Sequence, residues 1–318
     1  MLISRKHRGS CFAYRRGQTV EVRSLPEILT TLDAHGKLEG LPFMPEMAQF
    51  CGRTFRIYRR AEQVFLDRHW YVARLNATVL LEGVRCDGQS HAGCQMRCML
   101  FWKEAWLKPA DPTWQTVPDC AQRAAPDSGQ RAAPAAARLS TTDGERFCCQ
   151  ATELITATSR LPWWDVRQYV RELLGGELTL LQLARAIFVL AYQKIQRMRG
   201  RNPRGAVNGT QTKTTSEVLN LQPGELVQVK SRNEIEATLD PQGRNRGLAF
   251  APEMLRCCGG TYRVAGRVEK LIVEWSGEMR QLRDTVVLEG VQCDGVAYRL
   301  CPRSCYHLWR ETWLTRAP

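Results

Sequence analysis

"TVLLEGVRCDG" runs from Thr78 to Gly88, and "TVVLEGVQCDG" runs from Thr285 to Gly295. Nine of the eleven positions are identical, at an offset of 207 (285 minus 78). The same offset aligns the flanks without a gap. Phe43, Pro45, Glu46, Met47, Cys51 and Gly52 meet Phe250, Pro252, Glu253, Met254, Cys258 and Gly259. Trp102, Glu104, Trp106 and Leu107 meet Trp309, Glu311, Trp313 and Leu314. A self-match at one fixed offset is the mark of an internal repeat, so the sequence reads as two homologous modules.

Each module reads as a small α+β unit. Val20 and Val22, like Val227 and Val229, alternate with polar residues as a half-buried strand does. Ser24-x-x-Glu27 and Ser231-x-x-Glu234 are capping boxes that open short helices. "TFRIY" and "TYRVA" read as the next strands, and "TVLLEGV" and "TVVLEGV" as further ones that end in a glycine turn. Short strands separated by turns predict an SH3-like or KOW-like β-barrel in each module. Trp102 and Trp106, four apart, predict one helix face packed on the barrel, as do Trp309 and Trp313.

Four cysteines recur at equivalent places: Cys51, Cys86, Cys94 and Cys98, then Cys258, Cys293, Cys301 and Cys305. Cys94 and Cys98 are spaced to share a helix face. Pro302 suits the first turn of a helix that would present Cys301 and Cys305. Four thiolates suit a tetrahedral zinc site. The expectation is therefore Zn2+ at two sites, one per module. An iron–sulfur cluster, two disulfides per module and plain core thiols are the alternatives. His91 lies in the first box where Tyr298 stands in the second. A shared ligand would not be replaced by tyrosine, so His91 is expected near the metal or at the surface rather than on it; the sharper alternative is an open metal position peculiar to module one. The repeated acids Glu46 and Glu253, Asp87 and Asp294, and Glu104 and Glu311 are candidates for acid–base work or for turns.

Between and before the modules the composition changes. Residues 1–16 form a basic arm with Arg5, Lys6, Arg8, Arg15 and Arg16. Module one spans 17–108 and module two 224–318. Residues 109–146 hold the Pro/Ala-rich "AQRAAPDSGQRAAPAAAR", expected as a disordered linker. Residues 147–200 read as helical, with one helix from Asp165 to Leu174 and a second from Thr179 to about Met198. Residues 201–223 form a basic linker. The second helix is apolar on nearly every face, which predicts burial between the modules or, alternatively, peripheral membrane contact through 178–204.

The chain has 318 residues, 13 cysteines and a formal net charge of +13. No secretory leader and no spanning helix is read from it, so reduced cysteines and a cytoplasmic location are expected. No P-loop, Rossmann glycine pattern, Gly-x-Ser-x-Gly or HExxH occurs. The basic segments could serve nucleic acid.

The boxes "LEGVRCDG…CQMRCMLFWKEAWL" and "VVLEGVQCDG…CPRSCYHLWRETWL" resemble an uncharacterised bacterial family with the same duplicated cysteine boxes, whose members tend to accompany biosynthetic gene sets. The resemblance implies a setting in small-molecule biosynthesis and assigns no catalytic residue. The functional expectation is a zinc-binding, two-module scaffold or binding protein, with a protein or small-molecule partner. A metal- or thiolate-dependent enzyme or accessory factor is the alternative, and a nucleic-acid binder the third reading.

Overall fold

A computed structural model describes residues 14–66, 71–110, 139–161, 180–199, 207–213 and 215–317. The chain is mixed, mostly strand with few helices. Its first main sheet contains β1 (Thr19–Val22), β2 (Thr54–Arg60), β3 (Thr78–Arg85), β4 (Met99–Lys103) and β5 (Leu107–Pro109). The order is β4-β3-β2-β1-β5, antiparallel throughout. The second main sheet contains β6 (Leu226–Val229), β7 (Thr261–Arg267), β8 (Thr285–Leu288), β9 (Trp309–Arg310) and β10 (Leu314–Arg316). Its order is β9-β8-β7-β6-β10. In each sheet the last strand returns beside the first after a 3-10 turn, Glu104–Trp106 or Glu311–Trp313. A register irregularity between Ile57 and Arg59 recurs between Val264 and Gly266.

Local chemistry explains these elements. Val20, Val22, Val227 and Val229 are buried, as their alternation predicts. Both capping boxes form: Ser24 N donates to Glu27 at 2.9 Å and Ser231 N to Glu234 at 2.8 Å. The helices Leu25–Thr30 and Arg232–Glu236 follow.

The tryptophan pairs take a different form from the expected helix face. Trp102 lies in β4 and Trp106 in the 3-10 turn, with Trp309 and Trp313 likewise, and all four are fully buried. Phe43 meets Trp106 edge-on at 5.3 Å, and Phe250 meets Trp313 at 5.2 Å. A strand followed by a tight turn places residues four apart in one core as a helix would.

Residues 139–146 depart from the linker reading and residues 147–161 from the helical one. They hold short strands, Thr142–Asp143 paired with Arg146–Phe147 and Ser159–Arg160 paired with the Tyr71–Arg74 strand, and one short helix, Leu154–Ala157. Gln150 explains why this segment docks: its side chain accepts from Phe101 N at 2.8 Å and donates to Phe101 O and Pro42 O. Such pairing docks this segment on the first sheet by satisfying backbone groups of β4.

The long helix Leu180–Met198 forms where the apolar run begins. Burial between the modules is not its state: Leu180, Leu181, Ile187, Phe188 and Met198 are exposed, while Leu183 and Val189 pack against Val296 and Leu300. Among the described residues no helix is long and apolar enough to cross a membrane. The expected helix Asp165–Leu174, the basic arm up to residue 13 and most of the Pro/Ala linker lie outside the described residues.

The regions around the two main sheets meet reciprocally. Each extends a hairpin, Gln63–Leu66 with Tyr71–Arg74 and Lys270–Ile272 with Met279–Gln281. Phe65 N donates to Cys301 Sγ at 3.4 Å, and Ile272 N donates to Cys94 Sγ at 3.4 Å. Phe65 and Ile272 are equivalent under the offset of 207 (272 minus 65), and so are Cys94 and Cys301 (301 minus 94). Gln95 adds backbone-like pairing, donating from its N to Lys270 O at 3.0 Å.

Candidate metal centre

The "PEM" motif starts the 3-10 helix Pro45–Phe50, and Glu46 in its first turn is buried. Cys86 follows β3 directly, and its N donates to Cys98 O at 2.8 Å, which fixes the start of the box loop. Gly88, at φ +74, turns that loop so that the N–H groups of His91 and Gly93 both reach Gly88 O. These three steps bring Glu46, Cys86 and His91 together.

Cys86 Sγ lies 3.4 Å from His91 Nε2 and 3.4 Å from Glu46 Oε1. His91 Nδ1 lies 3.6 Å from Glu46 Oε1. One ligand atom from each of the three residues lies within 4.8 Å of the other two. Ser90 Oγ donates to Glu46 Oε2 and contacts His91 Nδ1 at 3.1 Å, so it orients both. Thr141 Oγ1 in turn holds Ser90 O at 2.6 Å. Supporting hydrogen bonds of this kind orient ligands in metal sites.

Burial favours the uncharged forms of Cys86 and His91. Burial pushes the Cys86 thiol far above its ordinary range, and Cys98 and Glu46 push it further. Burial lowers His91, outweighing the opposing pull of Glu46 and Asp87. A dication would reverse this logic, because binding favours thiolate and releases protons. A sulfur, an imidazole nitrogen and a carboxylate oxygen are all zinc donors. The cluster could hold a metal ion.

His91 is therefore not a surface residue: it is 2% exposed and is one of the three side chains that could hold an ion. Sequence reasoning ranked Glu46 among acids for proton transfer. Its repeat at Glu253 is the signal in the sequence, and its place beside Cys86 and His91 needs the fold.

The eight cysteines are distributed as follows. Cys51 and Cys258 each close a 3-10 helix and pack, half-buried, against the cores of their own modules. Burial raises both thiols, and for Cys258 the next influences are Cys257 and Arg232. Cys94 and Cys301 accept the inter-module amides described above. Cys98 is raised well above its ordinary value by burial and then by Cys305, its repeat equivalent. Cys86 follows β3 directly, whereas Cys293 lies five residues past β8, just after the isolated bridge Gln292–Tyr306. The expected helices around Cys94, Cys98 and Pro302 do not form. Ala92, Gly93, Arg97, Arg299, Leu300 and Ser304 all take positive φ, which no α-helix allows. Among the described residues, the three-residue cluster is what gathers within 4.8 Å, and neither set of four cysteines does so.

The remaining repeated acids are structural. Asp87 Oδ1 accepts from Gln89 N and Asp294 Oδ1 from Val296 N, which shapes the turns. Glu104 pairs with Arg60 at 2.7 Å and Glu311 with Arg267 at 3.0 Å.

A cavity of about 380 Å³ opens beside the centre, between the modules. Glu46, Cys86 and His91 are on its wall, with Cys94, Cys98, Cys149, Cys293, Cys301 and Cys305. Phe65, Leu271, Ile272, Trp275 and Tyr298 make much of the rest apolar. That volume lies in the range that holds a small organic molecule.

No protein family, curated protein or solved structure matches the chain.

Proposed function

We propose that this protein is a zinc-binding protein of two SH3-like modules, whose first module holds the ion through Glu46, Cys86 and His91 and presents an open coordination position to the cavity between the modules. The observation that carries this is the triad's position on the cavity wall. Three protein ligands leave one tetrahedral position free, the arrangement of zinc sites that bind or activate something. A structural site would be closed by a fourth protein ligand.

The occupant is a small molecule with a donor atom for zinc and an apolar body for the cavity. Binding by coordination is the primary reading. The same open position supports the alternative of a metal-dependent enzyme or accessory factor, because a bound water there would be acidified toward neutral pH. The SH3-like description rests on the strand order, with the last strand returning to the first after a 3-10 turn. The nucleic-acid reading gains no support, since most of the basic arm lies outside the described residues.

The test pits two ligand sets against each other. Zinc is measured in full-length protein purified under reducing conditions without chelator. The triad predicts that His91→Ala loses an equivalent of zinc and Cys51→Ser keeps it. The four-thiolate expectation predicts the reverse. Retention of zinc by His91→Ala, with the protein folded, refutes the triad as the metal centre.

A further inference from the structure

We propose that Glu253, Cys293 and His307 form a second divalent-metal site beside the same cavity, with its histidine supplied from a different position of the repeat.

Two of the three residues stand where the first site has them. Glu253 occupies the first turn of the 3-10 helix Pro252–Cys257, as Glu46 does in Pro45–Phe50; the Glu46 side chain is 3% exposed and the Glu253 side chain 7%. Cys293 corresponds to Cys86. Its N donates to Cys305 O at 2.8 Å, as Cys86 N does to Cys98 O at 2.8 Å. Burial and then Glu253, which it hydrogen-bonds, raise the Cys293 thiol.

The third residue has moved. The counterpart of His91 is Tyr298, whose ring stacks edge-on against Phe65 of the other module at 5.5 Å. The counterpart of Leu100 is His307 (307 minus 100 is 207). His307 Nε2 lies 3.4 Å from Glu253 Oε2, close to the 3.6 Å between His91 Nδ1 and Glu46 Oε1. His307 is 8% exposed, and its Nε2 is fully buried with no hydrogen-bond partner. A buried imidazole nitrogen without a hydrogen bond is costly, and a metal ion would satisfy it. Each module thus has one histidine against its repeated glutamate, reached from the box loop in one and from the segment before β9 in the other. The second trio is wider than the first and does not gather within 4.8 Å; Glu253 stands between Cys293 and His307, in contact with each, and an ion would draw the outer two together. Cys293 and His307 line the cavity together with the first triad. Sulfur, imidazole and carboxylate donors again select zinc-like ions rather than magnesium or calcium.

The proposal does not depend on the first site, and the experiment reads the two separately. Metal-free, reduced, full-length protein is titrated with Co2+ alone, following the thiolate-to-cobalt charge-transfer absorption. The expected result is two equivalents for the parent protein, one for His307→Gln, one for His91→Gln and none for the double variant. Two equivalents in folded His307→Gln overturn the second site. One equivalent in the parent, abolished by His91→Gln, also overturns it and leaves the first intact. One equivalent abolished only by His307→Gln overturns the first and supports the second. No cobalt binding overturns both. Should His307→Gln fail to fold, Cys293→Ala carries the same reading, and two equivalents in that variant overturn the proposal.

Discussion

Glu311→Ala is expected to cost about 3–5 kcal/mol, the loss typical of removing one partner from a buried ion pair. Glu311 is fully buried at the start of the 3-10 turn between β9 and β10. One carboxylate oxygen accepts from Leu219 N at 2.7 Å and Asn220 N at 2.8 Å. The other accepts from Leu221 N at 3.1 Å and from the Arg267 guanidinium at 3.0 Å. Alanine would strand three backbone donors and one cation together. Each unsatisfied buried donor costs roughly 1–3 kcal/mol, although Arg267 is partly exposed and recovers some solvation. At roughly 4–8 °C per kcal/mol for a domain of this size, the melting temperature of module two should fall by about 12 °C or more. Glu311→Gln keeps an acceptor and should lose less. A fall under about 4 °C for alanine would mean that the 219–221 segment is held by other contacts. The position is then a test of why this acid repeats: structure, not proton transfer.

The sequence made much of the scaffold legible for a physical reason. Alternating valines, capping boxes and glycine turns are local signals, and β1, β6 and the helices after Ser24 and Ser231 stand where those signals put them. The cysteine loops were not legible. Spacing of four suggested a helix for Cys94 and Cys98, but Asp87, Gly88 and Gly93 favour a turn, and the positive φ of Ala92 and Arg97 completes an irregular loop. The reciprocal contacts were hidden for another reason. Phe65 and Ile272 donate backbone amides to the partner module's sulfurs, and a backbone donor has no residue signature. His307 shows the limit of reading a repeat column by column. The chemistry of a site follows positions in space, and His307 reaches Glu253 from a column that holds leucine in module one. The apolar helix Leu180–Met198 was recognised from its composition, yet composition does not say which face meets the fold.

Gly88→Ala is expected to disable the first metal centre and weaken the joint between the modules, and Gly83→Ala separates the causes. Both glycines take positive φ, +74 at Gly88 and +73 at Gly83. Alanine in that region costs roughly 1–2 kcal/mol through contact of its Cβ with the backbone. At Gly83 nothing else lies within 4 Å of a new Cβ, so that strain is the whole effect. At Gly88 the Cβ would stand 2.0 Å from Cys94 O and 2.7 Å from Cys94 N. Both are backbone atoms, so no side chain can swing aside; the loop must move. Three features move with it. His91 N loses its 3.1 Å bond to Gly88 O, Gly93 N loses its 2.8 Å bond to the same oxygen, and Cys94 Sγ is drawn from Ile272 N. The expected result is that Gly83→Ala lowers the melting temperature slightly and keeps its zinc. Gly88→Ala should lower it further and lose the equivalent held by Glu46, Cys86 and His91. Gly295, whose Cβ would stand 2.1 Å from Cys301 O, should behave likewise in module two. Equal melting shifts for Gly83→Ala and Gly88→Ala, with zinc retained in both, would show that the box loop yields without disturbing the ligands, and that its tight turn serves packing alone.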